Sequence, residues 1–213
     1  MLRGGKMERF KRILLYANAA AKIEPALRYA ARVARHNHGV VTVVDCLETL
    51  DDTSNLYQET NPHSPECVEP LREHAAVRSA VGQETHARLA AICEQLRSQG
   101  VSALEKVLVG RPAIEITREV LRSGHDVVIR TAQGHRENKE KAFFGTTAIR
   151  LMRKCPCTVW VVDPDETDRF DRILAAVDPM TDDTDHTKLN AEVLDLAADL
   201  AAWEGGELHV AHA

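Results

Sequence analysis

The residues best suited to chemistry stand at 144–147, Phe144-Gly145-Thr146-Thr147, where an amphipathic pattern begins. A glycine at a helix start lets a ligand approach the backbone closely. The first turn offers unpaired N–H groups, and two hydroxyls add further hydrogen bonds, so together these parts can hold phosphate oxygens. The same residues also make an ordinary helix cap. Neither G-x-x-x-x-G-K-[ST] nor G-x-G-x-x-G occurs, so the two commonest phosphate fingerprints are absent. Cys155-x-Cys157 has the spacing of half a zinc site, but structural zinc ordinarily takes two such pairs, and no metal is expected. His36, His38, His125 and His135 stand in polar contexts and read as solvated side chains, and Asp182, Asp183 and Asp185 as a solvated acidic loop. With no G-x-S-x-G, no H-E-x-x-H and no placeable Ser/His/Asp order, nothing identifies a nucleophile, and the chain reads as a binding protein rather than an enzyme.

Such residues need a scaffold, and the periodicity supplies one. Short apolar runs at 12–17, 40–44, 103–109, 126–129 and 158–162 alternate with helical patterns at 23–36, 71–99, 112–122 and 146–154. Gly39 is read as the left-handed end of the first helix, and 48–69, rich in Asp, Ser, Asn and Pro, as a loop. Apolar strands separated by helices imply a doubly wound, five-stranded parallel sheet covered on both faces. Ligands of such sheets sit beyond the C-terminal strand ends, where the strand order reverses. Asn18, the Val43-Val44-Asp45 segment, Gly110-Arg111-Pro112 and the 130–141 loop all arrive there.

After a charged linker at 164–170 the pattern restarts. Arg172-Ile173-Leu174 repeats Arg12-Ile13-Leu14 and sets Asp178 opposite Asn18; a helix (189–203) and a strand (206–211) follow. The expected organisation is a complete domain over 8–163 and the first βαβ of a second over 171–213, as in a truncated or fragmentary chain. The 213 residues suit this division, being long for one such domain and short for two. Charge divides at the same place. The net charge is −5, yet residues 164–213 hold 3 basic and 13 acidic side chains, leaving the earlier part basic. Overall acidity argues against bulk nucleic-acid binding, and the opposed charges suit mutual attraction of two units. An apolar share of 44% is that of a core-forming soluble chain. No run is long enough to span a bilayer, and five scattered cysteines fit a reducing compartment.

Several motifs agree in order with one family. Gly110-Arg111-Pro112-Ala113, Gly124-His125-Asp126-Val127-Val128-Ile129, Phe144-Gly145-Thr146-Thr147 and Arg153-Lys154-Cys155-Pro156-Cys157-Thr158-Val159-Trp160 resemble the universal stress protein family, and the restart at Arg172 resembles its tandem, E-type members. The resemblance implies an adenine nucleotide alpha hydrolase-like fold and a cytoplasmic stress role, with resistance to DNA damage among the possibilities. It also implies self-association or pairing of tandem domains, and ATP held through G-x-x-G-x9-G-[ST] with an acidic residue after the first strand. Carried onto this chain, that site comprises Asn18, Val43, Thr131, Gly134, Gly145, Thr146 and Thr147, with Asp178 and Val210 as the second unit's counterparts. Three departures make the motif degenerate. Asn18 replaces the acid, Thr131 replaces the first glycine, and ten residues rather than nine separate Gly134 from Gly145.

Overall fold

The computed structural model describes residues 9–19, 21–47, 65–132, 145–165, 169–180 and 183–212, without the side chains of 65–79. These residues fall into two compact units, one over Phe10–Pro164 and the other drawn mainly from Asp165–Ala213.

The larger unit runs β1 (Arg12–Tyr16), α1 (Glu24–Asn37), β2 (Val40–Leu47), α2 (Pro65–Ser98), β3 (Ser102–Val109), α3 (Pro112–Ser123), β4 (Val127–Thr131), α4 (Gly145–Lys154) and β5 (Thr158–Val162). All five strands pair in parallel in the order β3-β2-β1-β4-β5. The order reverses between β1 and β4, which pair from Ile13↔Val127 to Tyr16↔Arg130. The three inner strands are the buried ones. Ile13, Leu14, Leu15, Val41, Val43, Val44, Val127, Val128 and Ile129 are solvent-free, which explains their unbroken apolar runs. β3 at the edge is largely exposed and β5 half-buried. Under α3 and α4, Leu14, Tyr16, Val44 and Val128 pack with Leu108, Ile116, Val120 and Leu151. Helices α1 and α2 pack on the sheet as well, α2 against β2 and β3.

Sequence expectations change at several element ends. The left-handed residue after α1 is His38 (φ 51°), not Gly39. Gly39 is required for space, since a Cβ there would lie 2.9 Å from the carbonyl oxygens of both Phe10 and Lys11. Gly39→Ala should therefore cost about 1–3 kcal/mol in a urea titration through backbone displacement. Helix α2 starts at Pro65, inside the expected loop, as proline at the first helical position loses no bond.

The smaller unit contains β6 (Arg172–Val177), α5 (Thr184–Glu204) and β7 (Glu207–His212), with β6 and β7 parallel. Helix α5 begins five residues before the expected Leu189. Asp183, read from sequence as part of a solvated loop, is its cap and accepts the Asp185 N–H at 3.0 Å. The internal repeat extends to backbone detail. Val40 N–H donates to Lys11 O at 2.8 Å, and Glu207 N–H donates to Asp171 O at the same distance. Gly206 repeats Gly39, for a Cβ there would meet Phe170 O at 2.5 Å. The two-stranded sheet is only partly covered, leaving Leu174 68% and Val210 56% exposed.

Candidate functional site

The C-terminal ends of β1, β2 and β4 carry polar side chains, whereas their middles, Thr42 of β2 apart, are apolar. Strand alternation divides these groups between the two faces of the sheet. On the face of the α3–α4 core stand Tyr16 and, beside it in register, Arg130. Tyr16 is buried, its hydroxyl accepts from Asn18 Nδ2 at 3.3 Å, and the Arg130 guanidinium lies 5.5 Å from its ring centroid. Burial, with Cys46 and Asp45 nearby, pushes the phenol pKa well up, so Tyr16 keeps its proton. Arg130 is 1% exposed, and its Nε donates to Thr131 O at 3.1 Å. Among the described residues its two terminal nitrogens are buried without a hydrogen-bond partner, and burial lowers its pKa.

On the other face, Asp45 forms a close ion pair with Arg88 of α2 and accepts the Cys46 N–H at 2.7 Å. Arg88 also donates to Ala17 O at 2.8 Å, tying α2 to the turn that carries Asn18. Burial raises the Asp45 pKa against the opposing pull of Cys46 N–H and Arg88. Thr131 is buried and its hydroxyl has no hydrogen-bond partner. Among the described residues of the larger unit, orphaned buried polar atoms occur at the end of β4, in Arg130 and Thr131 on opposite sides of the sheet, and just before its start, in His125.

The sequence-derived residues divide accordingly. Asn18 and Thr131 reach the β1/β4 gap. Val43 lies wholly buried within β2 opposite Leu15, so its side chain belongs to the core, and β2 continues past it to Leu47. Gly145 opens α4 with φ 70°, a left-handed conformation in which a β-branched side chain is strained, and Thr146 and Thr147 form the first turn. Gly134 lies outside the described residues, as does His135. Gly110-Arg111-Pro112 starts α3 beside the edge strand, two strands from the gap. In the smaller unit Asp178 is exposed and accepts the Met180 N–H at 3.1 Å, while Val210 is exposed on β7. Tyr16, Arg88 and Arg130 were missed by sequence reasoning; Arg130 did leave a signal, a charge closing the apolar run Val127-Val128-Ile129.

Other candidates lie at the opposite edge. Cys155 Sγ and Cys157 Sγ are 3.6 Å apart where α4 ends and β5 begins, and the hydrogen bond from Cys157 lowers the Cys155 pKa to about 7. Cys157 is half-buried and immediately precedes β5. Among the described residues no three His, Cys, Asp or Glu side chains gather as a metal site would require. His125 is not solvated as expected. It is buried where α3 turns into β4, 4.0 Å from Glu119, and burial lowers its pKa. No helix among the described residues is long and apolar enough to cross a membrane.

A parallel sheet reversing at β1/β4, with polar groups at that gap, defines the α/β class whose ligands bind beyond the strand ends. Residues 9–163 match the universal stress protein family, and the chain belongs to it. It is 27% identical over 196 residues to Universal stress protein E of Escherichia coli K12, covering 92% of this chain and 58% of that protein. To the protein of the same name from Photorhabdus laumondii it is 24% identical over 210 residues, covering 97% and 63%. The chain thus spans about three-fifths of the length of these curated relatives. In structure it is similar to a universal stress protein from Pseudomonas aeruginosa (TM-score 0.67, 20% identity, 97% of this chain and 62% of that one). It is also similar to one from Lactobacillus plantarum (TM-score 0.53, 15% identity, 72% and 98%). These matches support the tandem, E-type arrangement inferred from the repeat.

Proposed function

We propose that this chain serves a cytoplasmic stress response by binding a ligand and associating, without catalysis, and that the ligand of its larger unit is an adenine nucleotide. The observation that carries the reading is the end of β4. Among the described residues, Arg130 and Thr131 present unpartnered polar atoms at the strand-order reversal, and Gly145-Thr146-Thr147 opens the next described helix with a start suited to phosphate. Asn18, held by Tyr16, contributes an amide in place of a carboxylate, which lowers the negative charge facing a polyphosphate. Residues 171–213 are read as the opening of a second domain, with Asp178 at the place of Asn18. The partly covered β6–β7 sheet supports pairing with a tandem domain or a second copy.

Calorimetric titration of the full chain with ATP tests the nucleotide reading. Saturable heat is expected, falling at least about tenfold in affinity in Gly145→Val, since the valine strains the positive-φ position and blocks backbone approach. Absence of heat at millimolar ATP would overturn it.

A further inference from the structure

Arg130 poses a question that the fold does not answer. A guanidinium stays protonated at any pH a protein meets, so burial cannot be relieved by losing the proton. Taking an ion out of water costs far more, even after relaxation, than a cation over an aromatic face recovers. The Tyr16 ring and one hydrogen bond to Thr131 O therefore do not balance the burial of Arg130. Its terminal nitrogens, which would do most of the compensating, have no hydrogen-bond partner among the described residues. Nor does a nearby carboxylate serve. Asp45 lies on the other face of the sheet and is already paired with Arg88, and among the described residues Arg130 forms no ion pair. The orphan fork sits at the β1/β4 reversal, beside the tyrosine that holds Asn18.

We propose that Arg130 anchors an anion subsite at the β1/β4 gap, where its two terminal nitrogens receive one oxyanion group, a phosphate or a carboxylate. Two oxygens of either group match the planar fork, and such charge-assisted pairs are the strongest hydrogen bonds available to it. Tyr16, kept protonated by burial, forms the floor on the same face of the sheet. The proposal rests on the reading that this gap is a ligand site, but not on the ligand being a nucleotide.

The test is calorimetry on the full chain with inorganic phosphate, AMP and acetate in a low-ionic-strength, chloride-matched buffer, for wild type, Arg130→Met and Arg130→Lys. At least one probe should bind wild type and lose roughly 10–100-fold in affinity with Arg130→Met, as expected for a hydrogen bond to a charged group. Arg130→Lys should lose less, keeping the charge without the fork. Phosphate or AMP binding identifies a phosphate source, and acetate binding a carboxylate. Ligand-free Arg130→Met should melt at or above the wild-type temperature, since it removes an uncompensated charge. Melting well below wild type would overturn the proposal by making the cation part of the fold, as would equal binding to both proteins or binding of no probe. ATP bound equally by wild type and Arg130→Met but lost in Gly145→Val would remove this subsite and keep the nucleotide reading. Phosphate or acetate binding lost in Arg130→Met, with no ATP heat, would do the reverse.

Discussion

Two buried charges in the larger unit, Glu119 and Arg130, are 2% and 1% exposed, and the fold treats them in opposite ways. Glu119, near the end of α3, accepts two hydrogen bonds from Lys106 Nζ at 2.9 and 2.8 Å, one from Ser123 Oγ at 2.8 Å and one from Arg122 at 3.3 Å. Arg130, at the end of β4, makes one hydrogen bond to a neighbouring carbonyl and leaves its fork unpaired. Helix α3 runs away from the C-terminal strand ends, so Glu119 lies toward the edge where α/β sheets do not bind ligands, and Arg130 at the edge where they do. The edge that Glu119 faces also holds orphans, since both ring nitrogens of His125, 4.0 Å from Glu119, lack a hydrogen-bond partner among the described residues; what sets Arg130 apart is a permanent charge left open at the ligand edge. An incomplete network is the expected mark of a site whose last partner comes from outside.

The largest break in this comparison should come from Lys106→Met. It removes two of the hydrogen bonds to a carboxylate that has almost no water, and should cost about 2–4 kcal/mol. A urea titration reads the loss, and adding Glu119→Leu should restore most of it, since an apolar pair carries no desolvation penalty. A Lys106→Met change that costs nothing would mean that Ser123 and Arg122 suffice.

Arg88→Met strikes the other face of the crevice and should cost less, about 1–2 kcal/mol. Asp45 keeps its bond from Cys46 N–H, so only part of its network is lost. The same variant frees Ala17 O from its tie to α2. Hydrogen exchange should therefore rise at Ala17 and Asn18 and stay unchanged at Val127 and Val128; a uniform rise would make Arg88 a general stabiliser instead.

Legibility in the sequence follows the same division. Inner strands could be read because burial on both faces demands unbroken apolar runs, as in Val127-Val128-Ile129. The repeat was legible in Arg12-Ile13-Leu14 and Arg172-Ile173-Leu174 because each copy must fit the same turn. The Asp45–Arg88 pair was not, since the partners lie 43 residues apart and an arginine on a long helix reads as solvated. His125 misled because a histidine among polar neighbours gives no sign of being folded under α3. Gly39 was recognised as special for the wrong reason, for glycine signals positive φ and close approach alike. The family resemblance carries Val43 into the site, but β2 runs four residues further and its side chain lies in the core.

The finest version of the comparison is a pair of opposite pH slopes. For Glu119, burial alone would raise the carboxyl pKa, but the bonds from Lys106 and Ser123 outweigh it and hold the group below its usual 4.5. Its ionised form favours the folded state, so its contribution is present above 4.5 and fades as pH falls through the folded value. Burial raises Asp45 above its usual 3.8 despite Cys46 N–H and Arg88. Between 3.8 and the folded value the native state holds more proton than the unfolded one, so stability falls as pH rises through that window. Urea midpoints between pH 3 and pH 7 should therefore separate two variants by sign. Relative to Glu119→Gln, wild type should be at its best near neutrality; relative to Asp45→Asn, it should be at its best in acid. Parallel slopes would mean that Asp45 is as well compensated as Glu119, and the contrast between the two edges would then rest on Arg130 and Thr131 alone.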